Sequence, residues 1–484
     1  MRKGVDDGMI RLYDKSQIKK EELLFSGRTL KRLLFPLIVE QLLNSFMGMI
    51  DTMMVSNVGG AAISAVSLVD SINMLVTQVF AAMATGATII CSQYIGSGSR
   101  EESNRAAQQI VLAVITISVS LSAVCLIFCD PVLHIVFGAV EEAVMENART
   151  YFFITALSYP FIALFNAGSA FYRASGNSGY PMKISVFSNV INIGGNAFLI
   201  FALDMGVAGA AISTLLARIF CMAVTFYRLS KPGQEIVLNH YLSIRPDFPL
   251  ILKILAVGIP SGIENGMFQF GKLAIQSTVS SLGTTAIAAQ AMTIIFENLN
   301  GVAGIGIGIG LMTVVGQAVG AGRKEEAKYY IVKLSIYAEA AVLLSCLFAF
   351  AISRPVMHVA GMEPESAALC SQMLLAITVI KPVVWVFSFI PAYGMRAAGD
   401  VVFSMVTAAC TMWLCRVALS VFCMKTLDMG PMGVWIGMFA DWSIRGVVFT
   451  LRYFSGKWLK KGIAGSRGEA AQGGTDRRNE TVAR

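Results

Sequence analysis

A chain of 484 residues that is 55% hydrophobic and only 14% charged, with a mean hydropathy of +0.66, is not a soluble globular domain, which carries about 25% charged residues. The net charge of +8 raises nucleic-acid binding, but the basic residues stand beside apolar runs, where topology and anionic lipid account for them, so no nucleic-acid partner is expected. Composition points instead to an all-α polytopic membrane protein.

In chain order, residues 1–31 form a polar, basic tail with no signal peptide. Runs long enough to span a bilayer, about 20 mostly apolar residues each, follow at 33–56, 66–93, 107–128, 148–171, 182–202 and 206–227, and then at 250–280, 286–317, 329–351, 368–394, 403–424 and 432–453. Their length and lack of two-residue alternation predict twelve transmembrane helices rather than barrel strands. They divide into an N-lobe at 32–228 and a C-lobe at 250–454, six helices each, joined by a cytoplasmic linker at 229–249. A Gly/Arg/Glu-rich tail at 455–484 has the composition of a disordered segment. The loops carrying Pro131 and Pro355 are each expected to form a short helix at the outer interface.

The two lobes repeat each other. A shift of 224 places Pro36 on Pro260, Glu40 on Glu264, Gly59 on Gly283, Gly86 on Gly310 and Gln93 on Gln317 without a gap. It also superposes Leu203-Asp204-Met205-Gly206 on Leu427-Asp428-Met429-Gly430. Duplicated, pseudo-symmetric membrane halves are the usual build of a secondary transporter, whose site lies where the repeats meet.

With the N-terminus inside, the outer loops hold only Arg149, Arg354 and Lys425, and an imbalance of roughly ten to one satisfies the positive-inside rule. Both termini are therefore expected in the cytoplasm, and the even number of spans agrees. The nine cysteines show no CxxC or Cys/His cluster and read as small buried residues rather than disulfides or a zinc site. The run Gly301-Val302-Ala303-Gly304-Ile305-Gly306-Ile307-Gly308-Ile309-Gly310 imitates a nucleotide loop but lies inside an apolar span, so close helix packing is the expected reason for it. No Walker motif is present, and the three histidines (His134, His240, His358) are scattered, so neither an ATP-driven pump nor an enzyme is expected.

Polar groups inside the spans mark the chemistry, since a charge there costs about 2.5–3.5 kcal/mol on insertion scales. The first span carries Glu40, Asn44 and Asp51, the second Asp70, Asn73 and Thr77, and the fifth Asn189, Asn192 and Asn196, each set on one helical face. The N-lobe thus gathers oxygens suited to a hard cation or a proton. In the C-lobe, Glu264, Asn265, Gln269, Lys272 and Gln276 share the seventh span, and Gln290, Glu297, Asn298 and Asn300 the eighth. The shift pairs Asp51 with Ile275 and Asp70 with Ile294, so the lobes are chemically unequal. Other roles stand beside these. Glu40 and Glu264 also suit pairing with Lys31, Lys253 or a backbone amide freed by the preceding proline. The asparagines suit interhelical bonding, and Arg173 and Arg396 suit helix C-termini. Lys272, Lys381 and Arg416 have Glu297 and Asp441 as available partners.

Pro36 followed by Glu40-Gln41 and Met49-Ile50-Asp51-Thr52-Met53-Met54-Val55, the loops Gly96-Ser97-Gly98 and Gly320-Ala321-Gly322, and the Arg173 and Arg396 motifs together resemble the multidrug and toxic compound extrusion (MATE) family, in its DinF-like branch. The resemblance covers 33–454. It implies two six-helix lobes around a cleft and rocker-switch antiport of H⁺ or Na⁺ against organic, often cationic, small molecules, in the inner membrane of a bacterial cell. Carried over to this chain, the cation-coupling residues are Asp51, Asn192, Asn196 and Thr214. The cleft residues are Glu40, Asp70, Asn73, Glu264, Phe268, Gln269, Gln290 and Glu297, with Met47, Met53, Met54, Met267 and Phe296 as apolar lining. The chain departs from the family pattern at Asn196, where a second carboxylate is usual, and at Phe268, where the branch that places its ion in the C-lobe has a glutamate. A monomer is expected, with membrane lipid around it, no cofactor, and no metal beyond a transported Na⁺ at Asp51. The alternative is a flippase of lipid-linked oligosaccharide or lipid, which Lys272, Lys381 and Arg416 keep open.

Overall fold

The computed structural model describes residues 12–19, 21–138, 140–239 and 245–462, and leaves out the side chains of Met49, Thr52 and Ser56. His240, the first eleven residues and the C-terminal tail beyond 462 lie outside the described residues. Among the described residues the secondary structure is helical throughout. In chain order the helices are α1 (Gly27–Ser56), α2 (Gly60–Gly96), α3 (Arg100–Ile127), α4 (Cys129–Phe137), α5 (Glu142–Leu157), α6 (Tyr159–Ala174), α7 (Gly179–Asn196) and α8 (Gly206–Leu229). They continue with α9 (Phe248–Val279), α10 (Thr284–Gly320), α11 (Lys324–Val359), α12 (Pro364–Ala397), α13 (Val401–Thr411), α14 (Ser420–Lys425) and α15 (Met432–Ser455). Among the described residues eleven helical segments are long and apolar enough to cross a membrane, or twelve if the bent pair α5–α6 is one span.

The 43° bend between α5 and α6 has a local cause. Pro160 sits in the first turn of α6 and has no N–H to offer the Ala156 carbonyl. Ser122 Oγ donates to that carbonyl instead, at 2.8 Å. Two other spans pass through π-helical turns, at Ala197–Ala202 after α7 and Met412–Leu419 between α13 and α14. Such turns often accompany functional positions.

The short helix expected at Pro131 is α4, but Pro355 lies inside the continuous α11, so the two halves differ there. The repeat is plainer at the two Leu-Asp-Met-Gly turns. Asp204 and Asp428 take φ of 52° and 51°, and Gly206 and Gly430 take 53° and 57°, a left-handed conformation that aspartate tolerates better than most side chains.

The chain forms two compact units, one of Arg32–Cys91 and Ser99–Leu273, the other of Met1–Lys31, Ser92–Gly98 and Ala274–Arg484. In the first, α8 packs against α5, α6 and α7, and α6 against α3. The linker is stitched to α3 there: Arg105 pairs with Asp247 at 2.7 Å, while Gln109 accepts from the Asp247 amide and donates to the Arg245 carbonyl, both at 2.9 Å. In the second unit α10, α11, α12 and α15 pack on one another, around a core that includes Trp435, Ile377 and Leu374. The glycine run of α10 does what close packing requires. A Cβ on Gly304 would stand 2.5 Å from the Trp385 ring, and one on Gly308 would collide with the Tyr393 ring.

The described part of the N-terminal segment is not loose. Asp14 N donates to Glu325 at 2.9 Å, Leu24 N to Glu326 at 2.7 Å and Phe25 N to Tyr330 Oη at 2.8 Å, which straps the segment at Asp14 and at Leu24–Phe25 along the start of α11.

Candidate functional site

The site grows from the α7–α8 contact in the first unit. Gly195 has no side chain where Ser213 Oγ crowds it, so the two helices approach closely. Ser213 donates to the Asn192 carbonyl at 2.8 Å. Asn192 and Asn196, one turn apart, lie on one face of α7 and are 6% and 1% exposed. From that face Asn196 Nδ2 reaches Asp51 Oδ1 of α1 at 2.8 Å and Asn192 Oδ1 at 3.3 Å, and Asn192 Nδ2 reaches Thr214 Oγ1 of α8 at 3.1 Å. All four residues proposed for cation coupling therefore form one hydrogen-bonded chain. A cavity of about 270 Å³ is lined by Asp51, Asn192 and Thr214, together with Asn44, Asn189 and Met47. Asn196 Oδ1 is buried and accepts no hydrogen bond, an orphaned acceptor of the kind a hard cation takes.

The same cavity has a basic wall that the sequence reading passed over: Arg218 of α8. Its Nη1 donates to Ser158 Oγ at 2.5 Å, and it is an electrostatic neighbour of both Asp51 and Asp70. Asp70 accepts from Tyr151 Oη at 3.3 Å and Asn73 Nδ2 at 3.2 Å, and Asn73 in turn accepts from Tyr159 Oη at 2.8 Å. Asp51 and Asp70 against Arg218 leave one negative charge in excess. A lone arginine midway along the apolar α8 was a visible signal, of the same kind as Arg416 in the C-lobe.

The remaining candidates fall elsewhere. Glu40 is 3% exposed and ion-paired with Arg173 at 2.8 Å, which explains both the buried carboxylate and the arginine at the C-terminus of α6. Glu264, Phe268 and Gln269 follow Pro260 on α9 and are partly exposed; the Lys272 ammonium lies 5.2 Å from the Phe268 ring centroid. In the second unit Gln290 accepts from Trp435 Nε1 at 3.0 Å. Glu297 pairs at 2.8 Å with Lys381, which is wholly buried. Phe296, expected as cleft lining, is instead 2% exposed within the hydrophobic core of this unit.

A second buried charge group completes the second unit. Asp441 pairs with Arg416 at 3.2 Å and with Arg445 at 2.9 Å, all three almost fully enclosed. Arg416 sits in the π-helical turn and Arg445 one turn beyond Asp441 on α15. Among the described residues no group of three His, Cys, Asp or Glu side chains is placed to hold a metal ion.

Comparison with known proteins agrees with this architecture. The MatE family model matches twice, at residues 36–198 and 260–422, the same offset of 224 that relates the lobes. The chain is 28% identical over 442 residues to "Uncharacterized transporter YisQ" of Bacillus subtilis, covering 89% of this chain and 95% of that protein. It is 26% identical over 461 residues to "Probable multidrug resistance protein NorM" of Thermotoga maritima, covering 93% and 97%. Among solved structures, "Crystal structure of MATE in complex with MaD3S" aligns with a TM-score of 0.83 at 21% identity, over 90% of this chain and 97% of that one. An "Outward-facing conformation of a multidrug resistance MATE family transporter of the MOP superfamily" gives 0.83 at 20% identity, over 95% and 100%. With two MatE repeats spanning most of its length on a membrane-type helical fold, the chain belongs to the MATE family of transporters.

Proposed function

We propose that the protein is a secondary active multidrug efflux transporter of DinF-like type, which exports organic, often cationic, compounds in exchange for H⁺ or Na⁺ taken up at Asp51. The observation that carries this is the chain Asp51–Asn196–Asn192–Thr214 with its orphaned amide oxygen. Asp51 supplies the charge that an inward-moving cation neutralises, and the amide and hydroxyl oxygens replace its hydration shell. The excess of one negative charge over Arg218 suits a single monovalent ion. Inward movement of that ion is driven by about 2.3 kcal/mol per 100 mV. Occupation of Asp51 releases cargo outward by a rocker-switch motion, and discharge of the ion to the cytoplasm resets the cycle. The multidrug label on the Thermotoga relative supports the cargo class.

Glu40, Asp70, Asn73, Glu264, Phe268, Gln269, Gln290 and Glu297 stay within this proposal in three groups. Asp70, held by Asn73 and Tyr151, tunes the charge at Asp51 as its electrostatic neighbour, while Glu264, Phe268 and Gln269 are the partly exposed set fit to meet an organic cation. Glu40, Gln290 and Glu297, already engaged by Arg173, Trp435 and Lys381, act by holding their helices.

The flippase alternative loses two of its three cations, since Lys381 and Arg416 are committed to Glu297 and Asp441, and Lys272 alone makes no cationic cleft for a pyrophosphate. Proteoliposomes test the reading: an imposed Na⁺ or pH gradient, applied separately, should drive export of a fluorescent organic cation. Export that needs neither gradient would overturn it.

A further inference from the structure

Glu339 lies on α11, fifteen residues beyond the basic start of the helix and about 22 Å along its axis, at a depth where a carboxylate is costly and by default functional. It takes no part in the network around Asp51, which belongs to the other unit. Its Oε2 is buried and accepts no hydrogen bond, and among the described residues no cation forms an ion pair with it.

The carboxylate stands in a groove of about 490 Å³ between α11, α12 and α15, whose walls include Ile336, Phe387, Pro391, Phe454 and Leu12. That volume falls in the range of small-molecule sites, about 300–1,000 Å³. Ile336 and Phe387 are 62% and 52% exposed, so the groove opens on the outer surface of these apolar helices, which a bilayer would cover with hydrocarbon. Tyr453 Oη donates to the Leu12 carbonyl at 2.6 Å, which fixes the N-terminal strap along one end. Pro391, which also lines the groove, has no N–H for the Phe387 carbonyl one turn back, so that carbonyl lacks its helical donor.

From these features we infer that the groove is a binding site for a lipophilic organic monocation that arrives through the bilayer, with Glu339 as its counter-ion. Charge complementarity decides the occupant. The apolar and aromatic walls accept a hydrophobic body, a single unpaired carboxylate and a freed carbonyl ask for one positive charge, and a lipid tail would satisfy neither acceptor. The site is independent of the ion coupling at Asp51 and stands whether or not that proposal holds.

Photolabelling of the full chain in nanodiscs of zwitterionic lipid tests it. A triphenylphosphonium carrying a benzophenone should form adducts within 331–340 and 386–391, displaced by unlabelled tetraphenylphosphonium. Glu339→Gln should lower those adducts about tenfold, Glu339→Asp should keep most of them, and a neutral benzophenone of the same size should label wild type and Glu339→Gln alike. Ala340→Trp, on the exposed side of the groove, should block both probes. Absence of phosphonium adducts in these segments of the wild type, equal phosphonium labelling in Glu339→Gln, or loss of both probes together in that variant would each overturn the site. Because the readout is binding, a failure here leaves the efflux proposal untouched, and a failure of efflux leaves the labelling result standing.

Discussion

Asn196 Nδ2 donates to Asp51 Oδ1 across 2.8 Å, joining residues 145 positions apart in the chain. The bond fixes the carboxylate against α7 while the other amide atom, Oδ1, stays buried and unbonded. Asp51→Asn keeps the volume of the side chain and removes its charge, so the protein should insert and fold but lose gradient-driven efflux. Asp51→Glu should retain partial activity with a displaced pH or Na⁺ optimum. Efflux by Asp51→Asn at the wild-type rate, at matched membrane abundance, would remove Asp51 from the coupling mechanism.

Arg218 offers a test of the charge balance. Arg218→Gln removes a cation that neighbours both Asp51 and Asp70, and two desolvated carboxylates repel each other. The variant should melt lower than wild type in low-salt buffer at neutral pH. It should recover on acidification or on addition of Na⁺, because a ligand that binds the folded state stabilises it by mass action. A melting temperature insensitive to both would mean that Arg218 does not balance these carboxylates.

The fold was legible because hydropathy and duplication are properties of whole segments. Twelve spans and two halves follow from averages over about 20 residues, and the shift of 224 survives any local error. The candidate site was legible in part, since Asp51, Asn192 and Asn196 are polar where polarity is expensive. Their joining depends on Gly195 meeting Ser213, a packing fact that no single span contains. Arg218 was missed, although it stands midway along an apolar span, because the N-lobe was read for cation-binding oxygens. Phe296 went astray because an aromatic beside Glu297 looks the same in sequence whether it lines a cleft or fills a core. Glu339 stands alone in its helix turn, and only the neighbouring α12 and α15 make a groove of it.

The Asp441 group should govern stability rather than transport specificity. Arg416 and Arg445 share this one carboxylate, and side chains of all three are at most 4% exposed. Asp441→Asn leaves two buried guanidinium groups without their counter-ion, a loss of about 3–5 kcal/mol for breaking a buried pair. Detergent-solubilised Asp441→Asn should show a much lower melting temperature and weakened export of every substrate alike. Loss restricted to one charge class of substrate would instead place the group in cargo recognition.

Membrane orientation is open to direct chemical test. The positive-inside count puts the α4–α5 and α11–α12 turns outside and the α10–α11 turn inside. Gly138 and Gly322 mark two of these turns, but their φ of 64° and 74° make a cysteine strained at either. Their exposed neighbours Glu141 and Lys324, with Glu363 before α12, are the better probes. On a background lacking all nine cysteines, seven of which are buried, cysteines at positions 141 and 363 should react with an impermeant maleimide in intact cells. One at position 324 should react only after the cells are opened. The opposite pattern would invert the chain in the membrane, placing Asp51 on the wrong side of Pro36 for an ion arriving from outside, and the antiport direction proposed above would fall with it.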